Sequence, residues 1–321
     1  MALTVGVSRV TRAARDARQR GAWAGTKAAN VCPMRWNLTV IDPPTFPFTH
    51  FLFDTVRMLA FTLEELGQTV SVTQNRLEAG CMNILIGVHL LGDAREVEDI
   101  IDTGHQFVVL QTEMVHGRTI NRELSDRVDR LILPLCRRAR AVWDSSPENI
   151  AALAGLGIDA QLLTFAYQAR MKEIVHRSDR DIDFFWYGSV TEHRRKIIAE
   201  LDRLGYRVAV SFDAPPLFRN DLIARSEIVL TLQHSEQMTH VPHARILYTV
   251  ANDCVVAGEG GANVGPLEDV FLWDRKNDVI EFLRVVRARP DLRELGPQLR
   301  ERLAKRPMRD FVAPLVARVA A

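Results

Sequence analysis

Apolar and polar positions alternate in blocks along residues 181–261, and these blocks predict a series of strands and helices. Short apolar runs predict strands, and charged stretches with one apolar face predict helices. In chain order the predicted strands are 182–187, 206–212, 227–232 and 254–257, and the helices between them are 192–204, 217–226 and 244–251. Strands that alternate with helices in this way indicate a parallel sheet covered by helices.

The first half of the chain shows the same alternation. It predicts strands over 38–41, 69–73, 83–88, 107–111, 141–143 and 161–165, with a long helix over 49–66, mixed helix over 124–136 and a helix from Pro147 that Ser145 or Ser146 would cap. The pattern therefore predicts an α/β protein with two Rossmann-like, doubly wound domains that face a cleft.

Domain boundaries follow from the breaks in the pattern. A polar stretch over 167–180 separates an N-terminal domain, 36–166, from a C-terminal domain, 181–290. A strand over 270–273 and a helix over 277–287 complete the C-terminal domain, and residues 291–321 are predicted to form terminal helices. A length of 321 residues is typical of two domains.

Composition narrows the class of protein. Apolar residues make up 47% and charged residues 25% of the chain, as in soluble globular proteins. No apolar run approaches the roughly 18 residues of a membrane helix. The four cysteines lie far apart, which is typical of a reducing compartment, so we expect a cytoplasmic protein.

Residues 1–35 are basic and rich in Ala and Arg, with a net charge of +6 against −5 for the remainder. We expect a disordered tail, with Met34 as an alternative start of the protein. A basic helix that contacts the inner face of an anionic membrane is a second interpretation. A transit peptide is a third, although Ser8 is its only serine. The acidic remainder does not indicate a nucleic-acid-binding protein.

A nicotinamide or flavin enzyme would carry Gly-x-Gly-x-x-Gly at the first strand-to-helix turn. That turn, residues 42–48, contains three prolines and no glycine, and the corresponding turn of the second domain offers only Gly188. The sequence therefore argues against a dinucleotide enzyme.

Glycines at two strand ends suggest a phosphate site instead. Gly188-Ser189 and Gly258-Glu259-Gly260-Gly261 follow predicted strands, where backbone N–H groups are able to approach a phosphate. Arg245, near the start of a predicted helix, would grip a diphosphate with its guanidinium fork. The alternatives are a tight turn for the glycines and a surface ion pair for the arginine.

Titratable residues form two further groups. The cluster His234, Glu236, His240 and His243 has an alternative interpretation as a metal site, although it lacks the His-Glu-x-x-His spacing. In the first domain His50, Glu113, His116 and Asp144 fall at or after strand ends, where each is a candidate base. A capping or solvated role is the alternative for each of them.

Four segments together resemble the GT-B glycosyltransferases, in particular the bacterial group-1-like enzymes. They are residues 142–149 (VWDSSPEN), 184–189 (FFWYGS) with Arg194-Arg195, 223–230 (IARSEIVL) and 244–248 (ARILY) followed by Val255-Val256. The resemblance implies that the second domain binds a nucleotide-sugar donor and the first binds a glycan, lipid or protein acceptor. It also implies that the nucleotide sugar is a co-substrate and that neither a cofactor nor a bound metal ion is needed.

Residue by residue, the resemblance places Gly188 and Ser189 at the donor phosphates, Arg245 at the diphosphate, and Glu259, Gly260 and Gly261 at the donor. Related sequences carry a glutamate for the donor ribose three residues before the arginine. Here Pro242 occupies that position, with His243 beside it, and Glu236 is a candidate substitute.

Two functions therefore stand open. The first is a glycosyltransferase with His50, Glu113 or Asp144 on the acceptor side. The second is a non-catalytic scaffold that binds a nucleotide sugar or a partner protein. A nucleotide-sugar epimerase or reductase is a third hypothesis, and the missing glycine motif counts against it.

Overall fold

Two parallel sheets organise the part of the chain that the computed structural model describes, which is residues 33–44, 46, 48–115, 119–120, 123–124, 126–235, 240–261 and 264–321. Every hydrogen-bonded strand pair in either sheet is parallel, as the alternation of strands and helices predicts. The predicted α/β fold class is confirmed.

The first sheet has six strands in the order β2-β1-β3-β4-β7-β8. Their bounds are β1 Arg35–Val40, β2 Thr69–Gln74, β3 Met82–Ile86, β4 Phe107–Gln111, β7 Ala141–Asp144 and β8 Ala160–Leu162; Thr119–Ile120 (β5) and Glu123–Leu124 (β6) form a separate antiparallel pair. Residues of β3 and β4 are all buried, which explains their nearly continuous apolar sequence. Trp36 and Trp143 pack with ring centroids 5.9 Å apart.

Four helices cover this sheet. They are α1 Phe53–Glu65, which continues a 3-10 turn at His50–Leu52, α2 Ala94–Asp102, α3 Leu133–Arg138 after a π-helical segment at Val128–Ile132, and α4 Pro147–Ala154. Ser146 caps α4 by accepting a hydrogen bond from the Asn149 N–H, as the sequence predicts. The helix α2 was not predicted from the sequence, although Val97 and Ile100, its two buried residues, recur at helical spacing.

The second sheet has five strands in the order β10-β9-β11-β12-β13. The elements of this domain are β9 Ile182–Tyr187, α5 Glu192–Arg203, β10 Val208–Ser211, α6 Pro216–Ala224, β11 Ser226–Thr231, α7 His243–Ala251, β12 Val255–Glu259, β13 Leu272–Asp274 and α8 Val279–Arg287. Phe184, Phe185 and Trp186 are fully buried in β9, which lies between two other strands.

Both sheets share one order of strands: the second strand in sequence lies outside the first, and the later strands follow on the other side. This order places a topological switch point between β1 and β3 in the first sheet and between β9 and β11 in the second. Ligands of open α/β sheets bind in the crevice at the carboxyl ends of the strands at such a point.

Contacts between the domains join the carboxyl edges of the two sheets. His50, in the loop after β1, lies 3.0 Å from the Asp213 carboxylate, in the loop after β10. His240, after β11, lies 3.9 Å from the Glu148 carboxylate at the start of α4. The two switch points therefore open into one cleft.

Two C-terminal helices, α9 Leu292–Ala304 and α10 Arg309–Ala320, complete the chain. The last one returns to the first domain and packs against α1, where Arg309 donates to Glu65 at 3.1 Å. A backbone bridge between Tyr167 and Pro307 ties the linker to the turn that precedes α10. None of the described helices is long and apolar enough to cross a bilayer.

Candidate functional site

The end of β9 brings a glycine and an arginine into close contact. Gly188 has a φ of +130°, and a Cβ atom at this position would lie 2.6 Å from Nη2 of Arg245. Any other residue would therefore be strained by its backbone conformation and would also displace the guanidinium. Gly188 is required here because it allows Arg245 to lie against the strand end.

Arg245 itself is held by aromatic rings rather than by carboxylates. Its guanidinium carbon lies 4.5 Å from the Trp186 ring centroid and 5.1 Å from that of Tyr187. Its Nη1 is buried and has no hydrogen-bond partner among the described residues. Burial lowers the pKa of Arg245, because the charged form loses its hydration. Arg245 is therefore a buried cation with hydrogen-bonding capacity that no described residue uses.

Arg194 joins the two strand ends at the switch point. It donates from Nη1 to the Ser189 carbonyl at 3.0 Å and to Ser189 Oγ at 2.9 Å. It also donates to the carbonyls of Leu232 at 3.1 Å and Gln233 at 3.0 Å, after β11. Burial, followed by the charge of Arg245, lowers the pKa of Arg194 to about 9.

Sequence reasoning did not assign Arg194 to the site. Its side chain lies 4.6 Å from the Trp186 ring centroid, so two guanidinium groups contact the same indole. Because the hydrogen-bond partners of Arg194 are neutral carbonyl and hydroxyl oxygens, its positive charge remains uncompensated by direct contact. The crevice at the carboxyl end of β9 therefore holds two guanidinium groups that no carboxylate of the described residues contacts directly.

Glu259 lies at the edge of this crevice, and both of its carboxylate oxygens already contact protein groups. It accepts a hydrogen bond from the Gln233 N–H at 2.8 Å, and its other oxygen lies 2.8 Å from His193 Nε2. These contacts tie the end of β12 to the loop after β11 and to α5. Contact between Glu259 and a bound ligand stays a prediction.

Close packing alone requires glycine at two positions of the turn that follows β12. A Cβ atom on Gly258 would lie 2.0 Å from the Thr231 carbonyl oxygen, and one on Gly260 would lie 2.2 Å from the Trp273 ring. Gly261 follows directly, next to residues 262–263, which lie outside the described part of the chain. A phosphate contact by Gly260 or Gly261 stays a prediction.

The histidine cluster is only partly described. His243 is the first residue of α7, after Pro242 at the N-cap. Glu236, the candidate ribose partner, lies outside the described residues. Among the residues that are described, no three His, Cys, Asp or Glu side chains come together in a way that would hold a metal ion.

On the opposite side of the cleft Glu113 lies beside His89, with 3.4 Å between Oε1 and Nε2. Glu113 follows β4 and His89 follows β3, the neighbouring strand. Burial raises the pKa of Glu113 to about 7 and lowers that of His89 to about 4. The side chain of Glu113 remains 21% exposed.

Sequence reasoning missed His89, which lies in a 3-10 turn, Val88–Leu90, beside the β1/β3 switch point. The available signal was its position directly after a buried strand, the same criterion that selected Glu113. His116, also named from the sequence, lies outside the described residues.

Asp144 is buried behind Glu113 rather than exposed to the cleft. Its carboxylate accepts hydrogen bonds from the Ser146 N–H at 2.7 Å and from Asn149 Nδ2 at 2.9 Å. Asn149 also donates to the Glu113 carbonyl at 2.6 Å. Burial raises the pKa of Asp144 to about 7. In this position Asp144 orients the start of α4 and, through Asn149, the loop that carries Glu113.

His50 was also predicted as a candidate base, and it reaches the cleft. Its Nδ1 lies 3.0 Å from the Asp213 carboxylate and 3.2 Å from the Asp213 carbonyl oxygen. The structure therefore shows His50 as a bridge between the domains, and a catalytic role for it stays a prediction.

Comparison with known proteins identifies similar folds and no similar sequences. No family model matches the chain. No curated protein sequence matches it either. Among solved structures, the N-terminal domain of trehalose-6-phosphate phosphatase from Candida albicans matches with a TM-score of 0.53 and 8% identity, over 92% of this chain and 98% of that one.

Two glycosyltransferase structures match as well. AviGT4, which is involved in avilamycin A biosynthesis, matches with a TM-score of 0.49 and 15% identity, over 88% of this chain and 99% of that one. MurG from Acinetobacter baumannii matches with a TM-score of 0.38 and 9% identity, over 88% and 99%. At these identities the likeness concerns the fold alone. The two parallel sheets and their shared strand order confirm the predicted α/β fold with two doubly wound domains.

Proposed function

We propose that this protein is a glycosyltransferase that moves a sugar from a nucleotide-sugar donor to an acceptor hydroxyl. The donor diphosphate would bind at the carboxyl end of β9, in the second domain. The single observation that carries this proposal is Arg245, a buried guanidinium at a topological switch point whose Nη1 lacks a hydrogen-bond partner among the described residues.

The physical reason is the cost of burying a charge without a partner. A buried ion is tolerated when it is paired and hydrogen-bonded, and the planar fork of arginine matches two phosphate oxygens at once. Arg194 adds a second positive charge next to Arg245. A diphosphate would therefore neutralise two cations that no carboxylate contacts directly in the described structure.

The same charges would serve the reaction. When the glycosidic bond to the nucleotide breaks, negative charge develops on the leaving diphosphate. Cations fixed in a water-poor crevice stabilise that charge more strongly than they stabilise the intact donor. Arg245 and Arg194 are therefore proposed to stabilise the leaving group.

On the acceptor side we propose Glu113 as the general base. A carboxyl group with a pKa of about 7 is partly ionised at neutral pH and still basic enough to remove a proton from a hydroxyl group. His89, uncharged at that pH, would orient Glu113 across the 3.4 Å contact.

A melting experiment with nucleotides tests the donor site. A ligand at about 100 times its dissociation constant adds about 2.7 kcal/mol to the free energy of unfolding. We expect one nucleoside diphosphate, and its sugar derivatives, to raise the melting temperature of the wild type. The effect should disappear in Arg245→Ala and be strongly reduced in Arg245→Lys, which keeps the charge and loses the fork.

Arg284→Ala is the matched control, because Arg284 is an exposed arginine of α8 paired with Glu281. It should retain the full nucleotide effect. The donor-site proposal fails if no nucleotide stabilises the wild type, or if Arg245→Ala and Arg284→Ala respond to nucleotide alike.

A non-catalytic scaffold is the second candidate, and Pro242 is the observation that favours it. This residue is the N-cap of α7 and makes no side-chain capping hydrogen bond, at the position where the resemblance implies a ribose-binding glutamate. Release of nucleoside diphosphate from the stabilising nucleotide sugar separates the two functions. Steady release that Glu113→Gln reduces supports the enzyme, and binding without release supports the scaffold.

A further inference from the structure

Large apolar side chains are exposed where the two domains meet at the mouth of the cleft. Phe48 is 40% exposed, Phe51 50%, Phe212 52%, Phe218 64% and Leu217 78%. We call this set the aromatic lip. Exposed apolar clusters of this kind are uncommon on soluble proteins and usually mark a binding surface.

The lip is continuous with the proposed active site. Phe48 and Phe51 flank His50, and Phe212 directly precedes Asp213, the residue that pairs with His50 across the domains. The rings of Phe48 and Phe212 lie 5.0 Å apart, and Phe51 lies 6.4 Å from His89, the neighbour of Glu113. A molecule that placed a hydroxyl near Glu113 would therefore pass over these rings.

Both domains build the lip. Phe48 and Phe51 belong to the segment between β1 and α1, whereas Phe212 follows β10 and Leu217 and Phe218 lie in the first turn of α6. Phe46 packs against Phe48 with ring centroids 5.7 Å apart, which supports the lip from the first domain. An occupant would consequently contact both domains at once.

Charge identifies the kind of occupant. Residues 36–56 and 208–218, which include the lip, contain no lysine and no arginine. The arginines at the ends of these segments, Arg57, Arg207 and Arg219, are paired with Glu173, Asp183 and Asp54. Surfaces that bind anionic bilayers are rich in these residues, because lysine and arginine contact the lipid phosphates. The charged pair of the lip, His50 and Asp213, is satisfied internally. The lip therefore suits an uncharged apolar group.

We propose that the acceptor carries an apolar group, aromatic or alkyl, next to the hydroxyl that receives the sugar, and that the aromatic lip binds this group. The inference rests on the proposed function, because it names the class of acceptor for the same cleft. Phe48 and Phe212 would hold the group between the domains, with Phe51 directing the hydroxyl towards Glu113.

Two glycosides with the same sugar test this inference without requiring turnover. Phenyl and methyl β-D-glucopyranoside differ only in the apolar group, and saturation-transfer NMR measures the affinity of each for the full-length protein. We expect the phenyl glycoside to bind at least roughly fivefold more tightly to the wild type, as one aromatic contact provides. This preference should vanish in Phe48→Ala and in Phe212→Ala.

Val285→Ala is the matched control, since Val285 is 60% exposed and lies on α8. It should keep the preference for the phenyl glycoside. Melting curves with the stabilising nucleotide accompany each variant, and Phe212→Ala should retain the nucleotide effect. If no nucleotide raises the melting temperature of the wild type but the phenyl glycoside is still preferred, the donor-site proposal fails and the inference about the aromatic lip stands.

The inference is overturned if the two glycosides bind the wild type equally or not at all, or if Phe48→Ala and Phe212→Ala keep the preference. Co-sedimentation with vesicles of phosphatidylethanolamine and phosphatidylglycerol tests whether the lip binds a membrane instead. Vesicle binding that Phe212→Ala abolishes, without any phenyl preference in the wild type, would assign the lip to a membrane and overturn the proposal.

Discussion

Loss of the buried ion pair between Asp54 and Arg219 is expected to uncouple the two domains. Asp54 lies in the first turn of α1 and Arg219 lies in α6, so the pair crosses the domain boundary. Two hydrogen bonds, of 2.7 and 3.1 Å, join the guanidinium to the two carboxylate oxygens. Both side chains are only 7% exposed.

The expected cost follows from this burial. Removal of one partner from a buried pair costs about 3–5 kcal/mol, because the other charge is left in a poorly solvated place. Arg219 would keep the Tyr248 ring at 4.4 Å and the Asn220 side chain at 3.3 Å, so Asp54→Ala should fall near the lower limit. Arg219→Ala should cost a similar amount, since it leaves the Asp54 carboxyl buried without its partner and burial then favours its protonation.

A double-mutant cycle measures the coupling between the two residues. Guanidinium chloride unfolding of the wild type, both single variants and the double variant should give a coupling free energy of about 2–3 kcal/mol. The pair Glu281 and Arg284 provides the control cycle, because both side chains are more than half exposed. Its coupling should stay below about 0.5 kcal/mol.

The loss of stability is expected at the boundary between the two domains. Because the pair links the domains, Asp54→Ala should split a single unfolding transition into two, detected by a difference between tryptophan fluorescence and circular dichroism. A coupling below about 1 kcal/mol would refute the reasoning, since a buried bidentate pair would then be worth no more than an exposed one. One coincident transition in every variant would contradict the assignment of the loss to the domain boundary.

Three further predictions concern the cleft. Burial raises the pKa of Glu113 from 4.5 to about 7, and Glu113→Gln removes this titration. In the wild type the protonated carboxyl contributes its full stability below pH 4.5, and that contribution is lost as the pH rises through 7. Unfolding at pH 5 and pH 8 should therefore show the variant gaining on the order of 2 kcal/mol relative to the wild type at the higher pH, and equal pH dependence would contradict the burial of Glu113. Gly188→Ala should abolish the nucleotide effect by displacing Arg245, whereas Gly157→Ala, with a φ of +76° and open space around it, should lose roughly 1 kcal/mol of stability and keep that effect. Asn149→Ala should lower kcat roughly tenfold by releasing the Glu113 loop and leave the nucleotide effect unchanged, and an unaltered kcat would argue against this positioning role.

The strands could be predicted from the sequence because burial leaves them almost purely apolar. The strand predicted over 182–187 is observed as Ile182–Tyr187, and the one predicted over 107–111 as Phe107–Gln111. Strands in the middle of a parallel sheet are covered on both faces, so their composition alone distinguishes them from the charged helices between them. The order of strands, by contrast, required the structure.

The helix Ala94–Asp102 shows where the pattern is insufficient. It is nine residues long, begins at an Asp93 cap and presents two buried side chains. Val97, Ile100 and Ile101 recur at helical spacing, so the apolar repeat is present, but nine residues contain it only once. The capping aspartate was a second signal, and the two together mark a helix that the longer apolar blocks on either side obscured.

Candidate site residues could be predicted where their position in a strand or helix places them at the site. They could not be predicted where hydrogen bonds to carbonyl groups distant in sequence place them there. Gly188 follows from the general placement of ligands at strand ends and Arg245 from its place near the start of a helix, and the structure brings them together. Arg194 belongs to the site through carbonyl oxygens of the loops after β9 and β11, which no sequence pattern encodes. Gly258 and Gly260 show the converse, since packing against Thr231 and Trp273 explains them without a ligand.

The distribution of charge across the cleft gives the two halves different chemical capacities. On the second domain Arg194 and Arg245 lie without direct carboxylate partners, and in the proposed reaction they would stabilise a leaving diphosphate. On the first domain burial raises the pKa of Glu113 to about 7, as the proposed general base requires at neutral pH. Transfer of a sugar to a hydroxyl requires both, because the leaving group gains negative charge while the hydroxyl loses its proton. The two arginines lie beside the β9/β11 switch point, whereas Glu113 follows β4, one strand away from the β1/β3 switch point. The contacts of His50 with Asp213 and of His240 with Glu148 bring these two sheet edges together.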